Sequence, residues 1–131
     1  MIVESDIMNN DCLFCKIVSG DIPSYKIYED EIVIAFLDIN PDSNGHTLII
    51  PKKHCLDMDD IPEETINHIF KVAKELKVRI DNKLNTDGLT FVQNNGEIQE
   101  VKHFHLHLKP YYKHNEIKSV KEIYEILKDR D

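Results

Sequence analysis

Three histidines stand at alternate positions, His103, His105 and His107, separated by Phe104, Leu106 and Leu108. In an extended strand successive side chains point to opposite faces, so the imidazoles share one face and the apolar residues the other. Neighbouring rings on that face would lie ~6.6–6.8 Å apart by strand geometry. Packing alone gives little reason for such a row, because each ring brings a donor and an acceptor that need partners once buried. Two chemistries fit. Histidine is the commonest metal ligand, so the row can contribute to a metal site. It is also a nucleophile and proton-transfer group near neutral pH, which suits phosphoryl chemistry. The spacing does not choose between them.

A second chemical feature is the pair Cys12-x-x-Cys15. This spacing serves both zinc sites and redox-active dithiols. With Cys55 the count is three, and an odd number fits ligands or buried thiols in a reducing compartment better than disulfides.

The elements that must hold these residues can be read from periodicity. Asp11 to Val18 forms a short helical or turn segment, broken by Gly20 and Pro23. Strands are expected at Tyr25 to Tyr28, Ile32 to Ile39 and Thr47 to Ile50, with Pro41 and Asn44-Gly45 supplying a turn. Ile66, Ile69, Phe70, Ala73, Leu76, Ile80 and Leu84 recur at helical spacing and place a long helix over Pro62 to Leu84. Asp60 and Glu63 read as its N-terminal capping pair, and Gly88 as its stop. The acidic run Asp57, Asp59, Asp60, Glu63 and Glu64 reads as a solvated face. Two more strands, Leu89 to Gln93 and His103 to Tyr112, precede a short helix over Val120 to Leu127 that opens with the capping box Ser119 to Glu122. The expected fold class is therefore α+β, with a five-stranded antiparallel sheet, one long helix and a short C-terminal helix.

The 131 residues suit one domain, with residues 1–10 as a loosely held tail and 11–131 as the folded unit. A net charge of −8 argues against a broad nucleic-acid surface, which needs clustered Lys and Arg. A small phosphorylated ligand needs only local donors. The longest apolar run, Ile32 to Leu37, is far too short to cross a bilayer. Met1 to Asn10 lacks the basic-then-apolar order of a signal peptide, so the default location is the cytoplasm.

The motif His103-Phe104-His105-Leu106-His107-Leu108 resembles the signature of the histidine-triad family of nucleotide hydrolases and transferases. Other blocks resemble its zinc-bearing bacterial members in the same order. These are Cys12-Leu13-Phe14-Cys15-Lys16-Ile17 with Gly20-Asp21-Ile22-Pro23-Ser24, then Ala35-Phe36-Leu37-Asp38-Ile39-Asn40-Pro41, then Gly45-His46-Thr47-Leu48-Ile49-Ile50-Pro51-Lys52-Lys53-His54. The resemblance spans about residues 11 to 112.

It implies a hydrolase that cleaves a nucleotide at its α-phosphate, on purine nucleoside phosphoramidates or related adenylated compounds. His105 would attack phosphorus to give a nucleotidyl-histidine intermediate, and His107 would contact the phosphate and leaving group. Phe36, Asp38 and Ile39 would cradle the nucleoside, Asn94 and Gln99 would reach the phosphate, and His46 would stand behind the triad. Cys12, Cys15, His54 and His103 would bind a structural zinc, with no organic cofactor. The partners implied are a small nucleotide and a second copy of the chain in a homodimer, with no nucleic acid and no membrane. Family members commonly carry Gly-Gln and a small hydroxyl residue before the triad; this chain has Ile98-Gln99-Glu100. Rival readings are a dinucleoside polyphosphate hydrolase, a low-turnover nucleotide-binding regulatory protein, and a metalloenzyme whose three histidines bind a catalytic metal.

Overall fold

The computed structural model describes residues 11–114 and 116–129. The tail expected over residues 1–10 lies outside the described residues. The elements run α1 (Leu13–Ser19), β1 (Lys26–Glu29), β2 (Val33–Leu37), β3 (Thr47–Pro51), α2 (Glu63–Leu84), β4 (Gly88–Gln93), β5 (Leu106–Tyr111) and α3 (Val120–Leu127). A short 3₁₀ turn, Gly96–Ile98, lies between β4 and β5. The five strands form one antiparallel sheet in the order β1-β2-β3-β5-β4. The α+β class and the order of strands and helices match the expectation.

β2 is apolar at every position because both of its faces are covered. Val33, Ala35 and Leu37 pack with Ile69, Val72, Leu76 and Ile80 of α2 and with Ile123 and Leu127 of α3. Ile34 and Phe36 turn the other way and join Phe14 and Ile17 of α1. On the α2 side Phe104, Leu106 and Leu108 are fully buried, and each contributes on the order of 2 kcal/mol of burial energy. That energy fixes the facing of the segment, since a slip of one residue would send these side chains to the histidine face.

The histidine segment differs from the expected strand in one respect. The β5 ladder begins at Leu106, opposite Ile49 and Gln93, so His103 and His105 lie just ahead of it. Their stretch of backbone is held elsewhere. Phe104 N–H donates to the Cys55 carbonyl at 2.7 Å and His103 N–H to the Val101 carbonyl at 2.9 Å. The rings of His105 and His107 lie 4.9 Å apart between centroids, nearer than the ~6.6–6.8 Å backbone spacing of same-face residues along a strand.

The long helix also starts differently. Pro62 is the N-cap of α2 and no side chain caps it. Asp60, expected to cap, accepts instead from the N–H groups of Leu56 and Asp57 at 2.9–3.0 Å. Asp57 is buried and accepts from Asp59 N–H, so part of the acidic run locks the loop rather than forming a solvated face. The helix stops at Asn85, which takes the left-handed conformation (φ 52), and Gly88 opens β4. Phe70 leaves the apolar stripe and sits exposed against Phe91 of β4, with Val72 buried in its stead.

Two junctions position the site. Gly45 (φ +87) turns the chain from β2 into β3, where a Cβ would come within 2.7 Å of Leu84 Cδ1. Asp30 ties the β1–β2 turn to α2: its carboxylate accepts from Ile32 N–H, Val33 N–H, Tyr28 O–H and His68 Nε2–H, all at 2.7–2.9 Å. His68 is thereby partnered and half-buried, while His114 is exposed as a surface histidine.

Candidate functional site

α1, the end of β2 and the start of β5 enclose an open cleft of about 240 Å³ on the sheet face opposite α2. Its walls include Phe14, Ile17, Phe36, Asp38, Ile39, Glu100, His105 and His107. Phe14 meets the Phe36 ring edge-on at 5.6 Å and the His105 ring at 5.1 Å and 84°. Edge-to-face contact of this kind fixes ring orientation without using a polar atom.

The hydrogen bonds determine which nitrogen of each ring carries its proton. His105 Nδ1 lies 2.8 Å from the His103 carbonyl oxygen. A carbonyl can only accept, so Nδ1–H donates and the Nε2 lone pair is left free. Asp42 N–H donates to His46 Nδ1 at 3.0 Å, so His46 carries its proton on Nε2. That Nε2–H donates to His107 Nδ1 at 2.9 Å. His107 then carries its own proton on Nε2. The result is one ring with a free lone pair and, 4.9 Å from it, one with a free N–H.

Burial keeps these rings neutral. It pushes His107 down to about 4, helped by His105, His46 and Lys109. His46 is lowered by burial against the opposing pull of Asp38 and Asp42. His105 is lowered by burial too, with its bond to the His103 carbonyl and the charges of Asp38 and Glu100 acting the other way. A neutral imidazole with a free lone pair is a competent nucleophile.

Behind the cleft, one ligand atom from each of Cys12, Cys15, His54 and His103 lies within 4.8 Å of the other three. His103 Nδ1 is 3.3 Å from Cys12 Sγ and 3.5 Å from Cys15 Sγ, and His54 Nδ1 is 3.3 Å from Cys15 Sγ. Around a tetrahedral zinc with ~2.3 Å bonds to sulfur and ~2.0 Å bonds to nitrogen, such pairs stand roughly 3.5 Å apart. His103 Nε2–H donates to the Pro51 carbonyl at 2.8 Å, which leaves the Nδ1 lone pair directed at the sulfurs. The donor set fits a Cys₂His₂ zinc. Cys55, buried with its thiol pushed up chiefly by burial, is outside this cluster.

The structure gathers Phe36, Asp38, Ile39, His105 and His107 around the cleft, with His46 bonded behind His107. Asp38 Oδ1 accepts from Asn40 N–H at 2.8 Å, and Asp38 N–H donates to the His46 carbonyl at 2.9 Å. Asn94 and Gln99 are not among the residues that line it. Asn94 is half-buried just beyond β4. Gln99 is 2% exposed, and its Nε2–H donates to the Leu56 carbonyl at 2.6 Å while Oε1 has no partner. Phe14 was not singled out as a site residue from the sequence. Its signal was its place between Cys12 and Cys15, which obliges α1 to lie against the histidines. The three triad histidines also do not converge on one point: His103 belongs to the cysteine cluster and His105 Nδ1 is bound to a carbonyl. A catalytic metal held by all three has no geometric support.

The chain is similar to known proteins. The chain is 44% identical to a HIT-like protein of Methanocaldococcus jannaschii over 127 residues, 90% of this chain and 97% of the relative. It is 45% identical to an adenosine 5′-monophosphoramidase of Saccharomyces cerevisiae over 101 residues, 76% of this chain and 61% of the relative. Its fold matches a Zn-bound histidine triad family protein from Mycobacterium smegmatis with a TM-score of 0.84 at 36% identity, over 91% of each chain. Residues 19–114 match the HIT domain, and with these likenesses the chain belongs to the histidine-triad family.

Proposed function

We propose that this protein is a nucleotide hydrolase that cleaves at the α-phosphate, with purine nucleoside phosphoramidates as the substrate class. The observation that carries the reading is the His105 Nδ1–H bond to the His103 carbonyl, which leaves Nε2 as a nucleophile at the cleft. The Nε2 lone pair forms the bond to phosphorus as the phosphorus–nitrogen bond breaks, and the amine leaves with that electron pair and takes a proton from water. His107 Nε2–H donates a hydrogen bond to the departing atom or a phosphoryl oxygen. Water then displaces the imidazole, which recovers its lone pair, and the extra proton passes to solvent. Phe36 and Ile39 contact the base, and the Asp38 carboxylate accepts from ribose hydroxyls. The phosphoramidase activity named for the Saccharomyces cerevisiae relative supports the substrate class.

In the same reading residues 11–131 form one domain, active in the cytoplasm as a homodimer. Cys12, Cys15, His54 and His103 bind a structural zinc, in line with the Zn-bound Mycobacterium smegmatis structure. Through these four residues a bound zinc would tie α1 to the backbone that leads into β5 and so support the His103 carbonyl that holds His105 Nδ1–H.

The test is turnover of adenosine 5′-phosphoramidate by the wild type and by His105→Ala, with radiolabelled substrate to trap adenylyl-enzyme after acid quench. Wild type is expected to release AMP and to show label bound through an acid-labile bond. His105→Ala is expected to lose at least about a thousandfold in kcat and all trapped label, the scale seen when a covalent nucleophile is removed. Equal rates in the two proteins would overturn the reading.

A further inference from the structure

The charge lining the cleft is one-sided. Among the described residues two carboxylates, Asp38 and Glu100, contribute to its walls, and no Lys or Arg does. The cations nearest in sequence are engaged: Lys102 Nζ donates to the Gly96 carbonyl at 2.8 Å, and Lys109 Nζ pairs with Asp42 at 2.9 Å. His107 at the cleft is held toward the neutral form by burial. Asp38 accepts from Asn40 N–H and is 3.6 Å from His46 Nε2, so its position is fixed beside the β2–β3 turn. Glu100 is the exposed one, on the segment that runs into the histidines.

We infer that Glu100 is a specificity-determining residue that sorts leaving groups by charge, favouring amines that carry a further cation and disfavouring anionic leaving groups such as sulfate, phosphate or carboxylated amines. The inference rests on the proposed cleavage at His105. The leaving group departs from phosphorus opposite the attacking nitrogen, and the exposed Glu100 lines the mouth of the same cleft. A carboxylate at that mouth attracts a pendant ammonium and repels a pendant carboxylate, while a neutral group senses little. The residue is solvated, so the effect is modest and sensitive to salt.

Three adenosine 5′-phosphoramidates vary the pendant charge of the leaving amine, those of ethylenediamine, propylamine and β-alanine, and comparison of wild type with Glu100→Gln removes their intrinsic difference in amine basicity. The readout is the ratio of kcat/KM for the ammonium substrate over the carboxylate substrate, in which effects common to all three cancel. For wild type in low salt the ratio is expected to be about tenfold, the scale of one partly screened charge acting with opposite sign on the two substrates. Glu100→Gln is expected to bring it to within about threefold, Glu100→Lys to invert it, and 0.5 M salt to compress the wild-type ratio toward that of the glutamine variant. A wild-type ratio near one, or a ratio that Glu100→Gln leaves unchanged while all three substrates turn over, would overturn the role of Glu100. Failure of wild type to cleave any of the three would overturn the hydrolase reading itself.

Discussion

The free lone pair of His105 and the free N–H of His107 are both set by backbone groups, the His103 carbonyl and the Asp42 N–H. Neither partner has a residue-type signature, so the alternating histidines were legible in the sequence while their tautomers were not. Gln99 shows the opposite limit. Its type suits a phosphate contact, yet the loop that leads from β3 into α2 offers the Leu56 carbonyl and buries it. Asp30 lies in the β1–β2 turn, and four donors converge on it. Burial alone would raise its carboxyl, yet the bonds from Tyr28, Val33, His68 and Ile32 outweigh that and hold it well below the usual carboxylate range. A carboxyl depressed on folding adds stability above its unfolded pKa of ~3.9, and that stability is lost as pH falls toward the folded value. Asp30→Asn, which has no charge to lose, is expected to be about 1–2 kcal/mol less stable at pH 7. It should also lose less stability than wild type between pH 5 and pH 3 in chemical denaturation. Parallel acid losses in the two proteins would show that Asp30 is not the group responsible.

Among the elements, strands and helices covered on a simple apolar pattern were readable, and those whose ends depend on distant partners were not. The capping box of α3 forms as written, with Ser119 Oγ accepting from Glu122 N–H at 3.1 Å and Glu122 Oε1 accepting from Ser119 N–H at 3.3 Å. The start of β5 moved three residues from the expected strand start because the Cys55 carbonyl takes Phe104 N–H out of the ladder. Phe70 was read as core for its helical spacing, but it is 42% exposed and touches Phe91, itself 41% exposed. β4 is the edge strand beyond β5, so this aromatic pair lies beside an open row of backbone donors and acceptors. Such an edge suits a second copy of the chain, pairing strand to strand with the α2 aromatic packed across it. Phe91→Glu is expected to shift the protein from dimer to monomer in sedimentation equilibrium, with its circular dichroism spectrum unchanged. A wild-type protein that sediments as a monomer at micromolar concentration would remove this role for the edge.

Across the whole molecule, the two faces of the sheet carry different loads. The α2 face is a continuous apolar core that includes Phe104, Leu106 and Leu108. The opposite face has a smaller cluster of α1, β2 and β3 residues, and it contains Cys12 and Cys15 themselves. The HIT domain match begins at residue 19, after this cysteine pair. The sequence nevertheless placed His54 and His103 with the pair through their family blocks, because four ligands complete a tetrahedral set. α1 has seven residues, too few to be stable without tertiary support. Its attachment therefore depends on the packing of Phe14 and Ile17 and, in the proposed reading, on the metal. If zinc binds there as proposed, its removal would leave two buried thiols and two imidazoles without their shared partner, and the binding energy lost would be folding energy. Dialysis against a strong chelator is expected to lower the calorimetric melting temperature by at least about 10 °C. Re-addition of one zinc per chain should restore it, and Cys12→Ser should melt low with or without chelator. Because His103 supplies both a metal ligand and the carbonyl that holds His105, turnover should fall and return in step with the melting temperature. A protein that melts at the same temperature after its metal content has been driven below one-tenth per chain would show that packing alone holds α1 in place.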